Sequence, residues 1–337
     1  MKKLYTLLAV LLVAAMLLPA CAPAEANCAD EDTFCVGLVT DVGKINDKSF
    51  NQSAYEGVQL AEKELGATMQ YIETADAKDY AKNIATFGDA GYDVIVTVGF
   101  NLGEATVAAA ALYPNTKFIG VDQFQAADTP GVVGLNFPED NAGFLVGALA
   151  AMMSETGKIG AVCGTDAVPP VWRFGEGYRA GALYINPAIE INVVYHSDVG
   201  FDKTFVDPEW GAQTAKAMMD NGADAIFGCG GLTGNGAITA AAQAGKYAIG
   251  VDADQYLTLP EAAPMMLSSA MKLITPGVFD LIKLAQDGKF PGGNFVGPVG
   301  LAPYHDFDSK IDQAIKDKIT EIDAGLKDGS ITTGYGQ

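Results

Sequence analysis

A fold of two similar, doubly wound α/β lobes, each built on a parallel sheet, is predicted for this chain of 337 residues, on three observations. Short β-branched runs alternate with helical stretches, the pattern of parallel sheets covered on both faces. The second half also echoes the first. Asp89-Ala-Gly-Tyr-Asp-Val-Ile-Val-Thr-Val-Gly-Phe matches Asp220-Asn-Gly-Ala-Asp-Ala-Ile-Phe-Gly-Cys-Gly-Gly, and Lys117-Phe-Ile-Gly-Val-Asp-Gln is echoed by Lys246-Tyr-Ala-Ile-Gly-Val-Asp-Ala-Asp-Gln. The offsets, 131 residues from Asp89 to Asp220 and 130 from Asp122 to Asp252, are far too long for a solenoid repeat. Finally, 39 glycines spread through periodic segments suit an α/β protein better than a disordered chain. Each lobe would carry its ligand face at the carboxyl ends of its strands. Two such faces opposed across a hinge form a cleft that closes on a small molecule.

Taken in order, the chain opens with Lys2 and Lys3 and an almost wholly apolar run over 4–18, the layout of an export signal. That run is shorter than the roughly 20 residues that span a bilayer. Leu18-Pro19-Ala20-Cys21 places a cysteine where signal cleavage would leave a lipidated first residue, and two or three acyl chains hold a protein firmly at a membrane. The expected organisation is a lipoprotein signal over 1–20 and a tether over 21–34. Lobe 1 is expected from 35–137 with 273–298, and lobe 2 from 138–272 with 299–337, joined by a three-strand hinge. The mature protein is thus expected on the extracytoplasmic face of the cell membrane, acting as a monomer. The net charge of −20 becomes −22 once Lys2 and Lys3 leave, and such a surface argues against nucleic acid as a partner.

Strands are expected at 36–41, 68–73, 94–99, 118–122 and 132–137, then at 159–163, 191–195, 225–229, 248–252 and 267–271. Helices are expected at 49–65, 78–90, 140–154, 210–221 and 306–327. Besides Cys21, the cysteines are Cys28, Cys35, Cys163 and Cys229. Cys28 with Cys35, and Cys163 with Cys229, can form bridges in an oxidising compartment or remain free thiols. His196 and His305, the two histidines, have no local ligand company, so no metal site is expected. The glycine-rich run 230–236 lacks the Lys-Ser or Lys-Thr of a phosphate loop and is read as a place where backbone approaches a ligand.

The segment Gly37-Leu-Val-Thr-Asp-Val-Gly-Lys-Ile-Asn-Asp-Lys-Ser-Phe-Asn-Gln-Ser-Ala-Tyr-Glu-Gly closely resembles the opening signature of the basic membrane lipoprotein family. The resemblance continues through Thr204-Phe-Val-Asp-Pro, Gly230-Gly-Leu-Thr-Gly-Asn-Gly, Gly250-Val-Asp-Ala-Asp-Gln and Ser268-Ser-Ala-Met-Lys. Members are substrate-binding proteins of ABC importers with the type I periplasmic-binding fold, and characterised ones bind purine nucleosides. The resemblance therefore implies inosine, guanosine or adenosine as ligand, a permease and an ATPase as partners, no cofactor and no catalysis. An enzyme of the same shape would need a nucleophile paired with a base, and no such pair is evident in the sequence. A nucleoside sensor or surface lipoprotein would look the same in sequence.

Carried over by position, the resemblance points to Asp41, Phe50 and Asp122 in the first lobe and to Phe205, Gly231, Asp252 and Lys272 in the second. Their chemistry agrees. Two aromatics can sandwich a flat base, Asp252 can accept two hydroxyls of a ribose while Lys272 donates, and Asp41 and Asp122 suit the donor edge of a purine. Trp172 is a further expected cleft aromatic. Lys44 and Leu232 stand where the family commonly has glycine and threonine.

Overall fold

In the computed structural model, residues 27–30 and 32–336 are described. The export signal, Cys21 and most of the tether lie outside them. Among the described residues no helix is long and apolar enough to cross a membrane.

The first lobe begins with β1 (Cys35–Thr40), α1 (Phe50–Leu65), β2 (Thr68–Ile72) and α2 (Tyr80–Asp89). It continues through β3 (Val94–Val98), α3 (Gly103–Leu112), β4 (Lys117–Val121) and β5 (Val132–Asn136). The second lobe takes α4 (Glu139–Met153), β6 (Lys158–Cys163), α5 (Pro169–Ile185) and β7 (Glu190–Tyr195), then α6 (Phe201–Thr204) and α7 (Pro208–Asp220). After these come β8 (Ala225–Cys229), α8 (Gly231–Gln243), β9 (Tyr247–Asp252), α9 (Gln255–Thr258) and β10 (Met266–Lys272). The chain then returns to the first lobe for α10 (Ile274–Gln286) and β11 (Gly293–Val296), and ends in the second with β12 (Val299–Leu301) and α11 (Gln313–Asp328).

The sheets run β11-β5-β4-β3-β1-β2 and β12-β10-β9-β8-β6-β7. These are the same order in two copies. All described pairings are parallel except β10 with β12. The chain passes between the sheets three times, at Phe137 and Pro138, at Leu273, and at Gly297 and Pro298.

Each central strand is buried on both faces because alternate residues serve different cores. Val36, Leu38, Val94 and Val96 pack with α1 and α10, while Cys35, Val39, Ile95 and Phe118 pack with α2 and α3. In the second sheet Ile159, Ala161 and Phe227 pack with α4 and α5, while Val162, Ile226 and Ala248 pack with α7 and α8. Full burial of one such Leu, Ile or Phe contributes about 1.5–3 kcal/mol. α4 and α5 approach until their backbones touch. A Cβ at Gly143 or Gly147 would meet the Phe174 or Tyr178 carbonyl oxygen, and one at Gly177 or Gly181 would meet that of Asp140 or Phe144.

Both cysteine pairs are bridged, Cys28 with Cys35 and Cys163 with Cys229. The second pair joins register partners on β6 and β8. The helix expected over 306–327 is divided: a 3₁₀ turn covers His305–Phe307 and α11 starts only at Gln313, after Asp312 with extended ψ of 142°. Most of the glycine-rich run 230–236 is helical, since α8 begins at Gly231. Gly234 and Gly236 serve packing there, against the Gly228 and Pro208 backbones.

Candidate functional site

A chamber lies between the carboxyl ends of the two sheets. Seven of the eight expected site residues line it: Asp41, Phe50, Asp122, Phe205, Gly231, Asp252 and Lys272. Trp172 does not. Its indole is 37% exposed and lies edge-on to Tyr335 with centroids 5.4 Å apart. Phe174 faces the chamber in its place, because residues two apart on a helix are turned by about 200° from one another.

Asp122 follows β4 and Asp252 ends β9, the equivalent strands of the two sheets. Both hold left-handed backbone, with φ of 61° and 63°. Asp tolerates this conformation better than most residues, and it turns both carboxylates into the chamber. Lys272, the last residue of β10, is 3% exposed. Its Nζ donates to Asp122 Oδ2 at 2.6 Å and lies 3.6 Å from Asp252 Oδ1, 3.8 Å from Glu139 Oε1 and 4.7 Å above the Phe50 ring centroid. Burial alone would lower the Lys272 pKa, but Asp122, Asp252 and Glu139 together raise it. The ammonium is therefore retained.

Glu139 was not singled out in the sequence, although an acid directly after Pro138 at a helix start is a dipole-favoured position. It is fully buried, and Arg173 Nε and Nη2 both reach its Oε2 at 2.7 Å. Burial pushes its pKa up to about 7 against the pull of Lys272 and Arg173. Burial also raises Asp252 and Asp41 to about 6.

Asp47 and Asn51, four residues apart in the opening signature, also border the chamber. The Asp47 carboxylate caps α1, accepting the backbone N–H groups of Ser49 at 2.9 Å, Asn51 at 2.9 Å and Gln52 at 3.1 Å. Asn51 Nδ2 in turn donates to Asp41 Oδ1 at 3.2 Å and Asp47 Oδ2 at 3.1 Å, which aims Asp41. Two glycines make room. At Gly99, with φ of 113°, a Cβ would stand 2.9 Å from Asp41 Oδ2, and at Gly164 it would enter the Phe205 ring. Buried acceptors without a donor include Asp122 Oδ1 and Asn51 Oδ1. The chamber is thus walled by rings and rich in acceptors, with Lys44 and Lys272 also in its lining.

Residues 34–297 match the family model of ABC transporter substrate-binding proteins described as PnrA-like. The chain is 33% identical over 319 residues to the ABC transporter nucleoside-binding protein BmpA of Lactococcus lactis, covering 88% of this chain and 87% of that one. It is 33% identical over 270 residues to an uncharacterised lipoprotein of Pyrococcus horikoshii, covering 77% of this chain and 65% of the relative. Among solved structures, a solute-binding protein of an ABC transporter system from Aeropyrum pernix aligns with a TM-score of 0.79 and 26% identity, over 89% of this chain and 92% of that one.

Proposed function

Because the chain belongs to the PnrA-like family of ABC transporter substrate-binding proteins, we propose that it captures a nucleoside, purine nucleosides above all, in the interlobe chamber. It then hands the ligand to an ABC importer while anchored at the extracytoplasmic face through Cys21. The lobes are taken as 35–137 with 273–298 and 138–272 with 299–337, hinged at their three crossings.

One observation carries the reading: rings from both lobes, Phe50 and Phe205, border a chamber that also holds unsatisfied buried acceptors at Asp122 Oδ1 and Asn51 Oδ1. A nucleoside matches this pairing, since it offers a flat base with N–H donors and a sugar with hydroxyls. Stacking adds about 0.5–1.5 kcal/mol beyond area burial, and an orphaned buried acceptor that gains a donor removes a penalty of about 1–3 kcal/mol. In this scheme Asp252 and Lys272 take the ribose and Asp41 the base edge. The carboxylates of Asp41, Asp47, Asp122, Asp252 and Glu139 outnumber the cations of Lys44, Lys272 and Arg173 at the site, which disfavours phosphorylated ligands.

Thermal unfolding with inosine, guanosine, adenosine, free sugars and peptides tests the reading. A nucleoside at 100 times its Kd stabilises the protein by about 2.7 kcal/mol, so the melt rises with at least one of the three. A melt raised by a sugar or peptide and by no nucleoside refutes the proposal. Inosine recovered intact after prolonged incubation supports binding without catalysis, whereas released hypoxanthine would mark an enzyme.

A further inference from the structure

The turn at residues 47–49 belongs to the first lobe, but its polar groups are engaged by the second. The Asp47 carbonyl accepts Asn235 Nδ2 at 2.8 Å. The Lys48 carbonyl accepts Thr258 Oγ1 at 2.7 Å and Gln255 Nε2 at 3.3 Å. Ser49 Oγ lies 2.9 Å from Asp252 Oδ2 and 3.0 Å from the Val251 carbonyl. The second-lobe donors are braced beforehand: Gln255 Nε2 reaches Asn235 Oδ1 at 2.8 Å, and Gln255 Oε1 is held by the Val251 N–H at 2.9 Å. Ser49 and Gln255 are fully buried.

Two features set this seam apart from ordinary packing. Lys48 holds φ of 68°, a left-handed backbone that a lysine keeps only where its surroundings fix it. The bonds are also all polar, so water can replace each of them when the lobes part, and breaking the seam is cheap compared with exposing an apolar face.

We propose that the turn at residues 47–49 is an interlobe latch, and that through it closure positions the Asp252 carboxylate, with Ser49 holding one oxygen so that the other faces the ligand. The latch itself needs only the geometry; the positioning of Asp252 rests on the nucleoside reading above. With the lobes apart Asp252 loses the Ser49 hydroxyl and is free to turn. Ligand affinity is then set partly by residues that never touch the ligand.

Thr258→Val removes one latch bond at the rim without reaching Asp252, and Ser49→Ala removes the bond to Asp252. One net hydrogen bond shifts a two-state ratio about five-fold, so Thr258→Val should release inosine about five times faster in stopped-flow displacement. The double variant should do so about twenty-five-fold, with a larger ligand-free radius of gyration by X-ray scattering. Ser49→Ala should in addition narrow the preference for inosine over 2′-deoxyinosine, while Thr258→Val leaves that preference as it is. Release rates and radius equal to wild type in folded variants overturn the latch. A preference that Ser49→Ala and Thr258→Val alter alike overturns the positioning of Asp252. If the parent protein binds no nucleoside, the functional reading fails, and scattering on the double variant alone still decides the latch.

Discussion

Lys272→Met keeps an apolar stem of similar length and removes only the charge. In the folded protein Nζ stands 2.6 Å from Asp122, 3.6 Å from Asp252 and 3.8 Å from Glu139, with its side chain 2% exposed. At an effective dielectric constant of about 20, attraction across 2.6 Å is about 6 kcal/mol, and across each longer gap about 4–5 kcal/mol. Most of that sum is consumed by taking the ions out of water. What a variant shows is the smaller cost of leaving buried partners uncompensated, about 3–5 kcal/mol. The loss should depend on pH. Glu139 and Asp252 already sit near 7 and 6 with the lysine in place, and without it both rise further. An acid whose folded pKa lies above its unfolded value costs stability at high pH, and that cost fades as pH falls toward the unfolded value. The deficit should therefore be clearly larger at about pH 8 than at about pH 5. Urea unfolding at both pH values measures it, provided the m-value is unchanged. Adding Glu139→Gln, which neutralises one stranded carboxylate, should recover part of the loss. A deficit below about 1 kcal/mol at pH 8, or one identical at both pH values, would refute the reasoning.

Two further outcomes follow from the same structure. In the unaltered protein Asp41, Asp252 and Glu139 have pKa values of about 6, 6 and 7, raised chiefly by burial from 3.8, 3.8 and 4.5; stability should thus fall as pH climbs from about 4 to 7, and calorimetry showing a lower Tm at pH 5 than at pH 8 would contradict it. Gly147→Ala drives a Cβ into the Tyr178 carbonyl oxygen, so α4 and α5 must separate, with an expected loss of about 1–3 kcal/mol in chemical denaturation; unchanged stability would show that the helices have slack.

Much of the framework was legible because the strands are buried on both faces and read as continuous apolar runs. The ten expected strands appear within one residue at either end, and the duplicated halves share one strand order. β11 and β12 escaped notice as strands, being three or four residues long with half-buried patterns. Trp172 failed as a cleft residue because helical rotation, not proximity in sequence, decides which side chain faces inward. Gly230 and Gly231 border the chamber as the sequence suggests, but the packing role of Gly234 and Gly236 was not legible, since a glycine needed for close helix packing looks the same in sequence as one that admits a ligand. The latch was out of reach altogether, since its partners are 188 and 210 residues apart for Asp47 with Asn235 and Lys48 with Thr258. No periodicity reports such a pairing.

The paired left-handed aspartates bear on a question of orientation. A pocket assembled from two copies of one part is, to a first approximation, degenerate: a guest could lie either way round with equal energy. Here the copies differ in company, Asp122 being capped by an ammonium at 2.6 Å and Asp252 by a serine hydroxyl at 2.9 Å. Turning a guest end for end would exchange those environments and forfeit the match at both ends. One lysine and one serine are enough to give the duplicated cleft a head and a tail.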